Sequence, residues 1–265
     1  MSMNKIFLII FCLSLLLGLT ICHKRDHISI YDINKPTKPL LNISIIDEIN
    51  NRNAKISTFY AEIEIDTKIK LTSQVFYEKD KRFRMRTMSR FGLEGDIGSN
   101  DTQFWFWSKR MNPPALYHAD HKDYMKTTLK PLFDPNWLMQ CFNISNINLS
   151  EANIGHQGNN IIVKKSKVGN LGSIVINIIF IDSINERILG NYLYSDQGKM
   201  IASAEVKEFQ NVDGFVIPKI IVINWQDEGL TFMWKLVNIK INKIINDKLW
   251  ILPHTNNMVE MSSMP

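Results

Sequence analysis

Cysteine is scarce in this chain and the few present are badly placed for cross-linking. Cys12 lies inside an apolar N-terminal run, Cys22 ends it, and Cys141 stands alone in an apolar stretch, WLMQCF. A chain processed before Cys22 and acylated on that thiol keeps only Cys141 and has no internal pair to oxidise, so a core rather than disulfides must hold it. Cys141 is expected to be a small buried hydrophobe. Catalytic signatures are lacking too. Gly92, Gly95 and Gly98 recur every third residue but form neither a dinucleotide fingerprint nor a phosphate loop, and they read as a hairpin loop. His118, Asp120, His121 and Asp123 match no standard zinc spacing and read as a solvated loop. Glu62 and Glu64 have no cleft partner in the pattern and read as surface charges. No enzyme and no cofactor are implied.

The N-terminus is rich in what the rest lacks. Lys5 precedes the run IFLIIFCLSLLLGLTIC at 6–22, and the charged cluster HKRD follows at once. This is the layout of a secretory signal ending in a lipobox, with residues 1–21 as signal peptide and Cys22 as the lipidation site. Ile21 departs from the small residue usual before such a cysteine. An uncleaved span stays open, since about twenty apolar residues can cross a bilayer. Either reading places residues 23 onward outside the cytoplasm at a membrane.

Without residues 1–21, 244 of the 265 residues remain, enough for one domain. Residues 22–40, with Pro36 and Pro39, read as a tether; 41–252 form the domain and 253–265 a C-terminal tail. Leu41, Ile45, Ile46 and Ile49 recur at helical spacing and predict a short helix over 41–53. From Ser57 the period becomes two. Phe59, Ala61, Ile63 and Ile65 alternate with Tyr60, Glu62, Glu64 and Asp66, and further strands are expected near 68–77, 82–88, 102–107, 160–168, 172–182, 187–195, 199–210, 215–226 and 229–241. Turn residues such as Asp213-Gly214 separate them. Such a meander predicts a mainly β fold of about eleven strands, in one curved antiparallel sheet forming an incomplete, half-open β-barrel. Within the segment 131–142, Asp134 is an N-cap candidate and Pro135 starts a short apolar helix that must cover something hydrophobic, as a lid would.

Three side-chain patterns bear on function. Arg82, Arg84, Arg86 and Arg90 line one face; the compartment argues against nucleic acid, so lipid head groups or pairing with neighbouring strands are the alternatives to a solvated stripe, which is the first expectation. Phe104 and Phe106 point one way on their strand and Trp105 and Trp107 the other, so both faces need cover. One ring pair can line an apolar cavity closed by the helix around Trp137. The expected lining is Phe83, Met85, Phe104, Phe106, Trp137 and Leu138, with Trp105 and Trp107 replacing the phenylalanines if the strand faces the other way.

An acylated N-terminus, a short helix, the strand FRMR at 83–86, the loop RFGLEG at 90–95, the turn GSND at 98–101 and FWFW at 104–107 together make the chain resemble the LolA/LolB-like superfamily of periplasmic lipoprotein carriers, especially LolB-like outer-membrane lipoproteins. The resemblance implies an incomplete barrel whose apolar concave face accepts acyl chains. It also implies a membrane-contacting loop, to which Phe91 and Leu93 would correspond, and an outer-membrane location facing the periplasm. The tail 253–265 has no counterpart in that pattern. Two readings remain open: a monomeric carrier or acceptor for acyl chains of lipid or lipoprotein, held at the membrane through its N-terminal lipid, and a scaffolding envelope lipoprotein with a filled core that binds a protein partner.

Overall fold

The computed structural model describes residues 39–66, 70–79, 82–112, 114–126, 135–168, 172–226 and 229–261. The apolar N-terminal run, Cys22, the tether to residue 38 and the N-cap candidate Asp134 lie outside them. Helix α1 spans Pro39–Ala54 and α2 spans Pro135–Cys141. The strands are β1 (Thr58–Asp66), β2 (Leu71–Glu78), β3 (Arg82–Ser89), β4 (Gly92–Ser99), β5 (Gln103–Ser108), β6 (Leu116–Asp120), β7 (Asn153–Gln157), β8 (Asn160–Val168), β9 (Ile174–Asp182), β10 (Arg187–Ser195), β11 (Met200–Val212), β12 (Phe215–Trp225), β13 (Leu230–Ile241) and β14 (Met258–Glu260).

All fourteen belong to one sheet with the order β14-β6-β5-β4-β3-β2-β1-β13-β12-β11-β10-β9-β8-β7. The two edges, β14 and β7, do not meet, so the sheet stays open. Its pairs are antiparallel except β14 with β6, which run parallel. Register shifts on β1 between Tyr60 and Glu62, on β3 between Thr87 and Met88 and on β10 between Ile188 and Gly190 add local twist. The sheet can thereby curl around its own apolar face.

The count of about eleven strands was too low. The short strands β6, β7 and β14 carry too few alternations to stand out, and the segment around Gly92, Gly95 and Gly98 is strand β4 rather than a loop. Glycine reads as a breaker, yet Gly98 is needed inside the strand because the Trp105 ring of β5 lies against its backbone: a Cβ at 98 would fall 2.1 Å from the indole Cζ2. The turn between β3 and β4 is the two residues Arg90 and Phe91, followed by Gly92 at φ +101°. The hairpin at Asp213-Gly214 forms as expected, both residues taking positive φ, 51° and 85°.

Alternation sorts the side chains as read. Phe59, Ala61, Ile63 and Ile65 are buried on the inner face with Val75, Tyr77, Phe83, Met85, Ile97, Phe104 and Phe106. Helix α2 drops Trp137, Leu138, Met139, Cys141 and the following Phe142 into the same core. The Phe142 ring lies 6.0 Å from Phe59 and stacks 5.9 Å from Trp234, which places the helix at the middle of the concavity. Cys141 is buried there, and burial pushes its thiol well above the usual range. Helix α1 covers the far end: Ile45, Ile46 and Ile49 pack on Ile161, Val163, Ile179 and Ile181 of β8 and β9. Asn50 exchanges two hydrogen bonds with the backbone of Ile147, and the Asn53 side chain donates to the Ser145 carbonyl, so α1 also fixes the segment that follows α2. No described helix is long and apolar enough to cross a membrane.

Candidate functional site

Antiparallel register sets one wall of a cavity. Tyr77 pairs with Phe83, Phe83 with Ser99 and Ser99 with Phe104, so one row of inner-face side chains runs across β2 to β5. Across the concavity, Lys165 pairs with Asn177 and Val163 with Ile179 on β8 and β9. The two rows, with Met139 and Gln140 of α2 and Ile144, Ser145, Asn146 and Asn148 beyond it, enclose a cavity of about 970 Å³. That volume lies at the upper end of the range for small-molecule sites. The cavity is amphipathic: Tyr77, Phe83, Phe104, Met139, Ile144, Val163 and Ile179 are its apolar surface, and Lys79, Arg82, Lys165 and Lys167 its cationic one.

The lid helix is tied to the sheet by amides. The Gln140 Oε1 accepts from Nδ2 of both Asn177 and Asn191, at 2.8 Å each, and Asn143 donates to the Ile188 carbonyl. Bonds of this type are individually worth about 1 kcal/mol. They give α2 a defined seat beside the cavity.

Of the expected lining, Phe83 and Phe104 border the cavity. Met85 and Phe106 sit one row deeper, paired through Ile97, and Trp137 and Leu138 are core; all four support the wall instead of facing the space. A smaller void beside Met85, Thr87, Glu94, Trp225 and Trp234 measures about 30 Å³. Trp105 and Trp107 stand on the opposite face of β5, in register with Gly98 and Asp96, so the phenylalanines face inward and the tryptophans do not line the cavity. Sequence reasoning missed Tyr77, Met139, Ile144, Lys165 and Lys167. For the lysines a signal was available, since residues 161, 163, 165 and 167 share one strand face and only the first two are apolar.

The arginine stripe is not simply solvated. Arg84 is buried and grips Asp96 with two nitrogens, at 3.0 and 2.6 Å, while its third donates to the Leu249 carbonyl at 2.8 Å. Its guanidinium lies 5.6 Å from the Trp105 ring centre, and the Trp105 indole donates to Asp96 at 3.3 Å. Arg82 meets Asp101 at 2.8 Å, Asp247 at 3.3 Å and Glu78 at 3.5 Å. These contacts bind the C-terminal strap across the outer face: Asn100 donates to the Trp250 carbonyl, Asn257 to that of Pro114, and β14 then pairs with β6. Strand structure therefore continues past residue 252, into the segment read as a tail.

Phe91 is 62% exposed at the tip of the β3–β4 turn, with the Arg90 guanidinium 4.6 Å from its ring centre, while Leu93 is half-buried. Beneath the turn, burial acts to raise the Glu94 carboxyl, but the Ser89 hydrogen bond and the Lys109 and Arg110 charges outweigh it and hold the group below its usual range. His118 ends in β6, not a loop, with Nδ1 3.3 Å from Glu260; among the described residues no cluster suited to a metal forms. Glu62 accepts from Tyr60 and Asn238, and Glu64 pairs with Lys235.

No family model matches the chain and no curated protein matches it in sequence. Solved structures do. A DUF1329 family protein from Desulfovibrio piger superimposes with a TM-score of 0.53 at 10% identity, over 81% of this chain and 98% of that one. A domain named for outer membrane lipoprotein sorting, from Vibrio parahaemolyticus, gives 0.49 at 9% identity, over 78% and 95% of the two chains. A LolA superfamily protein from Nitrosomonas europaea gives 0.48 at 12% identity, over 78% and 97%. At these identities the likeness is one of fold.

Proposed function

We propose that this chain, whose fold is LolA/LolB-like, is an envelope lipoprotein that takes up acyl chains of a lipid or lipoprotein in the cavity beside α2 and acts as carrier or acceptor in their localisation. The observation that carries the reading is the cavity of about 970 Å³, walled on one side by Tyr77, Phe83 and Phe104. No covalent step is needed. Burial contributes about 0.8 kcal/mol per methylene, so a chain of a dozen methylenes offers roughly 10 kcal/mol before the costs of association are subtracted. The lipobox places Cys22 as the acylated residue that holds the domain at the membrane, facing the periplasm, and Phe91 at an exposed turn is suited to touch the bilayer.

The test is stoichiometric binding of a fluorescent fatty acid to protein lacking residues 1–21, freed of co-purified lipid. Wild type binds saturably. Lys165→Trp, which adds a large ring at the cavity wall from a half-buried position, loses binding while its thermal unfolding and circular dichroism stay native-like. Absence of saturable binding by the folded wild type sinks the proposal. That result supports the second reading, an envelope scaffold for a protein partner, which has its own observation: Trp137, Leu138 and Phe142 already fill the centre of the concavity.

A further inference from the structure

Helix α2 is apolar through Trp137, Leu138, Met139 and Cys141, and Gln140 is the polar exception in its last turn, half-buried and lining the cavity. Only one end of its amide ties the lid. Oε1 accepts from Nδ2 of Asn177 on β9 and of Asn191 on β10, at 2.8 Å each, while Nε2 has no partner among the described residues. A carboxylate or carbonyl oxygen at this position would make the same tie. The network also fixes which way the amide points. Turned over together with its partners, it would leave the two asparagines with orphaned N–H groups where they now hold buried, unpaired Oδ1 atoms, and an orphaned donor is the costlier defect. Gln140 thus holds an N–H donor in one orientation at the cavity wall.

Resting on the acyl-binding reading above, we infer that Gln140 recognises the acyl group itself, its Nε2 donating to the carbonyl oxygen of an ester or a free acid. The hydrocarbon needs only burial, which Tyr77, Phe83 and Phe104 supply. Burial is non-directional and fixes neither the depth nor the direction of a chain. A donor held by two bonds fixes both: the carbonyl end lies at α2 and the chain runs from there toward the aromatic wall. A carbonyl oxygen taken out of water regains at Gln140 the hydrogen bond that an apolar wall cannot give. The residue that seats the lid therefore also sets the register of the ligand.

The experiment displaces a bound fluorescent fatty acid from protein lacking residues 1–21 with methyl laurate, dodecyl methyl ether or laurate. The ester and the ether differ by one carbonyl. Wild type binds the ester about three- to tenfold more tightly than the ether, the worth of one neutral hydrogen bond. Gln140→Glu keeps an acceptor for both asparagines but puts an oxygen in place of the donor. At mildly alkaline pH, with native circular dichroism, its ester-to-ether ratio falls to one and laurate weakens more than the ester. Gln140→Met removes the donor without adding charge and also brings the ratio to one; each ratio is taken within one variant, so a looser lid cancels. Laurate ahead of methyl laurate in wild type assigns the carbonyl to a free acid, and the reverse order assigns it to an ester. A wild-type ratio of one, or a ratio that survives in either variant, would overturn the inference and leave the carrier reading standing. Failure of folded wild type to bind the fluorescent fatty acid would bring down both.

Discussion

The indole of Trp105 lies flat against the backbone of Gly98 on the neighbouring strand, and its nitrogen reaches past that glycine to donate to Asp96 at 3.3 Å. Asp96 in turn holds Arg84, whose guanidinium returns over the same indole. Four residues from three adjacent strands thus close one polar cluster on the outer face, and the strap around Leu249 and Trp250 covers it.

Gly98→Ala should be costly for its size. The added methyl would sit 2.1 and 2.2 Å from two ring atoms, so the ring must leave its seat and release the Asp96 bond. A loss of about 1–3 kcal/mol is expected from overpacking. Chemical denaturation of wild type and variant measures it; a change below a few tenths would show that the ring moves freely.

Asp96→Ala removes the partner of a buried guanidinium, and Arg84 has no other carboxylate within bonding distance among the described residues. Leaving such a charge buried costs about 3–5 kcal/mol. Replacing both partners, as Arg84→Met/Asp96→Leu, should recover most of that. A double variant no more stable than Asp96→Ala would place the loss in the packing of the strap.

Tyr60 should titrate late. Burial, reinforced by its 2.7 Å bond to Glu62 and by the charge there, pushes the phenol up to about 12. Because the folded value is raised, its stabilising contribution is complete below the ordinary tyrosine value of about 10 and is lost as pH climbs through about 12. Glu62→Gln removes the charge but not the burial. The difference in ultraviolet titration between wild type and variant should show one phenol moving down, and superimposable curves would refute the coupling.

Phe91→Ser changes an exposed ring at a two-residue turn, so stability should stay within about 0.5 kcal/mol. Cosedimentation with anionic vesicles, using protein without residues 1–21, should weaken severalfold, because the lost ring is the apolar contact flanked by Arg90 and Lys109. Unchanged cosedimentation would remove Phe91 from the membrane contact.

Much was legible in the chain because burial on one face of a strand imposes a period of two. That period placed Phe59 to Ile65, Phe83 with Met85, and Phe104 with Phe106 on one inner face before any pairing was known. Helix α1 was legible for the same reason, with a period of 3.6 and Ile45, Ile46 and Ile49 as its buried stripe. Glycine misled at Gly98, where a neighbouring ring rather than a turn required it. The arginine stripe was expected to be solvated because a charge pattern does not reveal that Asp96, in register with Arg86 on the neighbouring strand, is gripped diagonally by Arg84.

The sequence by itself determined the period of each element, the inward and outward faces, and the apolar run before Cys22, since these depend on neighbours along the chain. Tertiary structure alone decided which inner-face row borders space and which is filled, because that depends on where α2 lands. It lands at the centre, where Phe142 at its end meets Phe59 and Trp234. Met85 and Phe106 are thereby sealed into the core, while Phe83 and Phe104, one row away, face a cavity whose opposite wall, Lys165 and Lys167, lies some sixty to eighty residues further along the chain and meets them only because the sheet curls.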